Sequence, residues 1–156
     1  MAHRAHMMSC RAVVGLLAVA ALAAGCSESS STLTSSSSGS GAPAVTAGQL
    51  AGTWNLLSMQ TTGDAAQATP AGASYTVTFA DGRLSTRVDC NTCSGAFALS
   101  GQTLTVGPGL ACTRAACPTM AFETAYTRVL DGEHAATLSG GALVLSSARG
   151  ALRFTR

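Results

Sequence analysis

The chain has 156 residues, 17 of them glycine, and carries no lysine. Once an N-terminal segment containing Arg4 and Arg11 is set aside, seven arginines (83, 87, 114, 128, 149, 153, 156) face seven acids (28, 64, 81, 89, 123, 131, 133), so the remainder is neutral. That excludes a nucleic-acid binder, which needs surplus positive charge to neutralise phosphates.

Residues 1–25 read as an export signal. Arg4 and Arg11 supply the positive start, and Ala12 to Ala24 (AVVGLLAVAALAA) is an apolar run. It is shorter than the roughly 20 residues that span a bilayer, as signal peptides are. Leu22-Ala23-Ala24-Gly25-Cys26 follows. It resembles a bacterial lipobox, with the leucine one place further out than usual. The resemblance implies that Cys26 is cleaved to the new N-terminus and acylated, so the membrane is a partner through this anchor. Ser27, rather than an aspartate, follows the cysteine. The expected location is therefore the cell envelope, at the outer membrane in preference to the inner. Ser27 to Gly41 (SESSSTLTSSSSGSG) buries too little apolar area to offset chain entropy. Residues 26–46 are read as the acylated cysteine and a disordered tether. Residues 47–156 are read as one small domain, expected to be a monomer.

Within that domain the pattern is mostly of period two, the mark of half-buried strands. Thr53–Ser58 places Trp54 and Leu56 on one face. Gly63–Ser74 is a loop by composition. Tyr75, Val77 and Phe79 alternate with threonines, and Ala80-Asp81-Gly82-Arg83 makes a hairpin turn into Leu84, Thr86 and Val88. Phe97 and Leu99, a Ser100-Gly101-Gln102 turn, then Leu104 and Val106 continue the pattern. The spacing of Phe122, Ala125, Tyr126, Val129 and Leu130 switches to one face of a helix. Pro118 suits its first turn and Gly132 its end. Ala136 and Leu138 then precede a Gly140-Gly141 turn, and Leu143 and Leu145 pair by pattern with Leu152 and Phe154. About eight short antiparallel strands and one helix result, a mainly β fold whose sheet must curl or close.

Six cysteines are present, but Cys10 leaves with the signal and Cys26 is acylated. Cys90, Cys93, Cys112 and Cys117 remain, an even number that implies two disulfides in an exported chain. Three connectivities are possible. Two rival readings exist. Four thiolates suit zinc, though the Cys112-x4-Cys117 knuckle is long and an oxidising compartment disfavours free thiols. Cys90-x2-Cys93 has redox spacing, though it sits between strands and not at a helix start.

Gly52-Thr53-Trp54-Asn55-Leu56 resembles the opening of the META/HslJ-like domain. Asp81-Gly82-Arg83-Leu84 leading to Cys90-Asn91 resembles its hairpin and Gly-Cys-Asn motif, with Asp89 in place of the glycine. Leu104 to Pro108, then Thr113-Arg114, Ala116-Cys117-Pro118 and the helix resemble its second half, and Leu143 to Thr155 its closing hairpin. The resemblance covers about residues 47–156. It implies a small antiparallel, partly open β-barrel with one helix. It also implies that Cys90 pairs with Cys117, leaving Cys93 and Cys112 as an added, nested pair. The family has no established catalytic activity; its members are envelope or secreted proteins, some heat-inducible.

The residues point the same way. His134 is the sole histidine beyond the signal. A Ser-His-Asp arrangement needs a base held by a carboxylate beside a nucleophile, and no nucleophile elbow or phosphate-binding glycine loop occurs. Asp81 reads as a turn residue. Asp89 is the carboxylate near the cysteines, and either aspartate is placed to pair with Arg83, Arg87 or Arg114. Trp54 and the helix face read as core. No catalytic residue, cofactor or metal is expected. The function expected is a lipid-anchored envelope protein with a structural, stress-related or interaction role. The alternative is a barrel that binds a small ligand, or an inhibitor of an envelope hydrolase.

Overall fold

The computed structural model describes residues 43–156. The segment read as an export signal, Cys26 and the Ser-rich stretch lie outside them. Two residues just ahead of residue 47 already pack on the domain. Val45 is buried and its N–H donates to the Gly101 carbonyl at 3.2 Å. Thr46 caps a short helix, α1 (Ala47–Leu50), in a reciprocal box with Gln49.

Ten strands follow among the described residues: β1 (Gly52–Thr61), β2 (Gln67–Ala68), β3 (Tyr75–Ala80), β4 (Arg83–Val88), β5 (Asn91–Ser100), β6 (Thr103–Val106), β7 (Ala111–Cys112), β8 (Gly132–Ser139), β9 (Ala142–Ser147) and β10 (Gly150–Thr155). A second helix, α2 (Met120–Leu130), lies between β7 and β8. Eight strands run antiparallel in the order β1-β3-β4-β5-β6-β8-β9-β10, and β10 returns to β1. The two-residue strands β2 and β7 are side branches on β1 and β5.

The barrel is closed where the family resemblance implied a partial opening. β1 and β10 pair from Asn55↔Thr155 to Thr61↔Gly150, with one register shift between Leu56 and Ser58. Gly150 makes this seam possible. A Cβ there would lie 2.0 Å from the Gln60 carbonyl oxygen, and its φ of +143° suits glycine. Closure leaves no free edge along the main strands.

Inward residues alternate along each strand as the period-two pattern requires. Val77, Phe79, Leu84, Leu104, Leu143, Leu145, Leu152 and Phe154 are all essentially inaccessible. Eight strands enclose a space just wide enough for side chains to fill, and these do fill it. The Asp81-Gly82 turn has both residues at positive φ, matching the twist of the hairpin it joins. Leu145 faces Leu152 and Leu143 faces Phe154, as the pattern predicts.

The up-and-down order places α1 and α2 at opposite mouths. At the α1 mouth, Trp54 is buried and its indole N–H donates to the Leu50 carbonyl at 2.8 Å. The Arg156 guanidinium lies 4.4 Å from its ring centroid and donates to the carbonyls of Gln49 and Ala51. At the other mouth, α2 turns Tyr126, Val129 and Leu130 into the barrel. Pro118 precedes the helix, with Thr119 between them at the N-cap, and Gly132 past its end takes φ +100°.

Candidate functional site

The α2 mouth gathers most of the polar chemistry of the domain. Its walls are the end of β1, the start of β3, the β4–β5 junction and the segment from β7 to α2.

The junction carries the Cys-Asn pair. Cys90 is bonded to Cys117 and Cys93 to Cys112, with Cα–Cα distances of 5.8 and 4.0 Å. Cys93 and Cys112 face each other across β5 and β7. With the four sulfurs in two disulfides, no thiolate is left for a zinc ion. Among the described residues no group of three His, Cys, Asp or Glu side chains converges.

Asn91 is buried between the two bridges and holds the whole corner. Its amide nitrogen donates to the Ala115 carbonyl at 3.0 Å and to the Glu123 carboxylate at 3.1 Å. Its oxygen accepts from the Ala115 N–H at 2.8 Å and from the Thr113 hydroxyl at 2.9 Å. One side chain thus ties β5, the loop after β7 and α2 together. A buried amide must find such partners or cost free energy.

Asp89 serves the same corner. Thr119 donates to its carboxylate at 2.7 Å, which commits the threonine proton. Tyr75 therefore donates its hydroxyl to Thr119 at 2.8 Å. Arg87 reaches the Asp89 backbone carbonyl and not the carboxylate, so the expected pairing of Asp89 with a nearby arginine is replaced by a hydroxyl relay to the helix. Asp89 also stands at φ +59°, which explains why a glycine suits this place and an aspartate is tolerated. Asp81 is a turn residue, as its sequence context suggests.

Tyr126 plugs the mouth. Its ring meets Tyr75 and Phe154 edge-on, with centroids at 5.4 and 6.5 Å. Thr86 donates to the Thr76 carbonyl at 2.6 Å, so the Tyr126 hydroxyl donates to Thr86 at 2.9 Å. Burial holds both phenols above the usual tyrosine range; Thr119 partly offsets this for Tyr75, and Thr86 does so for Tyr126.

The META domain model matches residues 48–156 of the chain. The chain belongs to the META domain family. A protein from Burkholderia xenovorans, solved by NMR, is 25% identical with a TM-score of 0.59, covering 74% of this chain and 90% of its own. A second NMR structure is 25% identical with a TM-score of 0.56, covering 71% of this chain and 94% of its own. No curated protein matches.

Beside the helix that closes this META barrel runs a groove made of two adjoining cavities of about 510 and 350 Å³ that share Thr61, Asp64 and Ala125. Met59, Pro70, Pro118 and Phe122 line the larger part. Arg128, Arg149 and Ala148 line the smaller. Periodicity in the sequence does not reveal this groove, because its walls come from β1, the β2 loop, α2 and the β9–β10 turn.

His134, the lone histidine of the domain, is buried on β8 below the end of α2. Its Nε2 lies 2.9 Å from the Leu130 carbonyl, and its Nδ1 has no partner. A neutral ring that donates from Nε2 satisfies this geometry. Burial is the main force lowering its pKa, with Arg149 adding to it; the Leu130 carbonyl and Asp131 oppose them. The unfolded chain then binds a proton more readily than the folded one. Stability is fully present above the unfolded value near pH 6.5 and falls as the pH drops through and below it. Urea titrations at pH 7.5 and 5.5 should show this loss, and His134→Leu should reduce it. An equal loss in the variant would assign the pH dependence elsewhere.

Proposed function

We propose that this META protein is exported, acylated at Cys26 and tethered to the cell envelope, at the outer membrane in preference to the inner. We assign it a non-enzymatic interaction or structural role there. The two disulfides carry the reading, since such crosslinks persist in oxidising compartments. The lipobox-like Leu22–Cys26 and the Ser-rich stretch behind it agree with that compartment. More than one acyl chain gives stable anchoring where a single chain does not.

The described chain enters the barrel at the α1 mouth. The α2 mouth, with its groove and polar corner, lies at the opposite end of the barrel. The rival reading of a small ligand held inside the barrel has little support, because side chains fill the interior. The surface groove, in contrast, has room for a ligand.

Cys26→Ser should abolish incorporation of labelled palmitate and slow cleavage of the precursor. Membrane partitioning that is unchanged in this variant would overturn the lipid anchor. Loss of the label, with the domain shed in soluble form, would support it.

A further inference from the structure

We propose that the groove beside α2 binds an extended peptide segment of a partner protein, with apolar side chains along Phe122 and Met59 and a carboxylate at Arg128 and Arg149. The proposal rests on the interaction reading above and names the chemistry of the partner.

The dimensions come first. α2 has 11 residues and so is about 16 Å long at 1.5 Å per residue. That length accommodates roughly five residues of extended chain at about 3.3 Å each.

The lining decides the class of occupant. One end is apolar, with Met59, Pro70, Pro118 and Phe122. Polar groups interrupt it along its length: Gln67, Thr61 and the Asp64 carboxylate, which already accepts from the Thr61 hydroxyl. A plain hydrocarbon chain would bury the Gln67 amide without a partner and leave the charged Asp64 carboxylate with the Thr61 hydroxyl alone, which is costly. A peptide carries an N–H and a C=O at each residue and can meet them. Asp64 then accepts a backbone N–H, a role that suits its place between the two parts of the groove.

Charge sets the direction. Arg128 and Arg149 together line the smaller cavity and the surface next to it. Arg128 has no hydrogen-bond or ion-pair partner among the described residues. Arg149 spends one amino group on the Asp131 carbonyl and keeps the rest of its fork. Within the smaller cavity these two guanidinium groups face one carboxylate, that of Asp64, while Asp131 on the adjoining surface accepts the Gly109 N–H; the cavity is therefore net positive, and a planar fork is matched to a carboxylate. The segment is therefore either a C-terminus or one that carries an aspartate or glutamate at that end.

The test uses the folded exported domain, ¹⁵N-labelled. The probe is a synthetic hexapeptide of alternating leucine and serine with a free C-terminal carboxylate, with its C-terminally amidated form as control. The acid should shift the amide signals of Thr61, Asp64, Phe122 and Ala125. The amide should bind at least tenfold more weakly, and Arg128→Gln should erase most of that difference. Arg128 makes no internal bond, so this variant should fold normally; Ala125→Trp, which fills the groove, should abolish the shifts independently. Equal affinity for acid and amide would overturn the proposal, as would shifts that avoid the groove. Groove shifts with dodecanoate but with neither peptide would give the groove to a hydrocarbon chain and overturn it too. Groove shifts on concentrating the protein alone would give it to a second copy. None of these outcomes bears on palmitate labelling at Cys26, so the anchor and the groove stand or fall separately.

Discussion

Replacing Tyr126 with alanine is expected to cost about 3–5 kcal/mol, the range for deleting a large buried aromatic side chain. The ring is fully inaccessible and fills the mouth of the barrel beneath α2. Its edge-on contacts with Tyr75 and Phe154 go with it. The space left cannot collapse easily, because the closed barrel fixes the strands around it and α2 is bound at its start through Asn91, Glu123 and Thr119. Tyr126→Phe separates packing from polarity. It keeps the ring and loses the hydroxyl that donates to Thr86. Thr86 still donates to the Thr76 carbonyl, so one of its bonds survives. The loss should be about 1 kcal/mol. Chemical denaturation of the two variants checks the pair. Similar losses for both would mean that the hydroxyl and not the ring holds the helix down.

Tyr126 was legible as part of the core. It falls on the helix stripe with Phe122, Val129 and Leu130, and periodicity alone locates that stripe. The strand interior was legible for the same reason, since Val77, Phe79, Leu84, Val88 and the closing hairpin alternate cleanly. What α2 covers was not legible, because the helix period gives a buried face without saying which strands meet it. β5 shows where the pattern fails. Its first residues, Asn91 to Ser94, carry no apolar alternation, yet Asn91 and Cys93 point inward. They are held there by a side-chain network and a disulfide, and neither leaves a hydrophobic period. The partners of Asn91 lie 22 to 32 residues away, so local sequence does not identify it as the tie of the corner. The strands β2 and β7 are two residues long and invisible to any periodic reading. Barrel closure turned on Gly150, whose role depends on a backbone some 90 residues earlier in the chain.

Removing both disulfides should have the largest effect of all. The Cys90–Cys117 bridge spans a separation of 27 residues, and the Cys93–Cys112 bridge, nested within it, spans 19. On the chain-entropy model the outer bridge alone contributes roughly 3.5 kcal/mol, and the inner one adds about 2 more because its loop is already partly closed. Together they approach about 6 kcal/mol, against a typical total of about 5–15 kcal/mol for a whole domain. A variant with all four cysteines changed to alanine should therefore lie close to its unfolding midpoint at 37 °C. The two double variants should not be equivalent. Losing Cys90–Cys117 also frees the chain just ahead of α2 and loosens the frame around Asn91, so the loss should exceed the entropic figure. Losing Cys93–Cys112 frees the short strand β7, which the Thr92–Thr113 backbone bond still holds. Urea midpoints should thus fall in the order wild type, Cys93→Ala/Cys112→Ala, Cys90→Ala/Cys117→Ala, and the fourfold variant. A fourfold variant with the wild-type midpoint would show that Asn91 and the packed helix hold this corner unaided. In that case the bridges would contribute nothing measurable to folding.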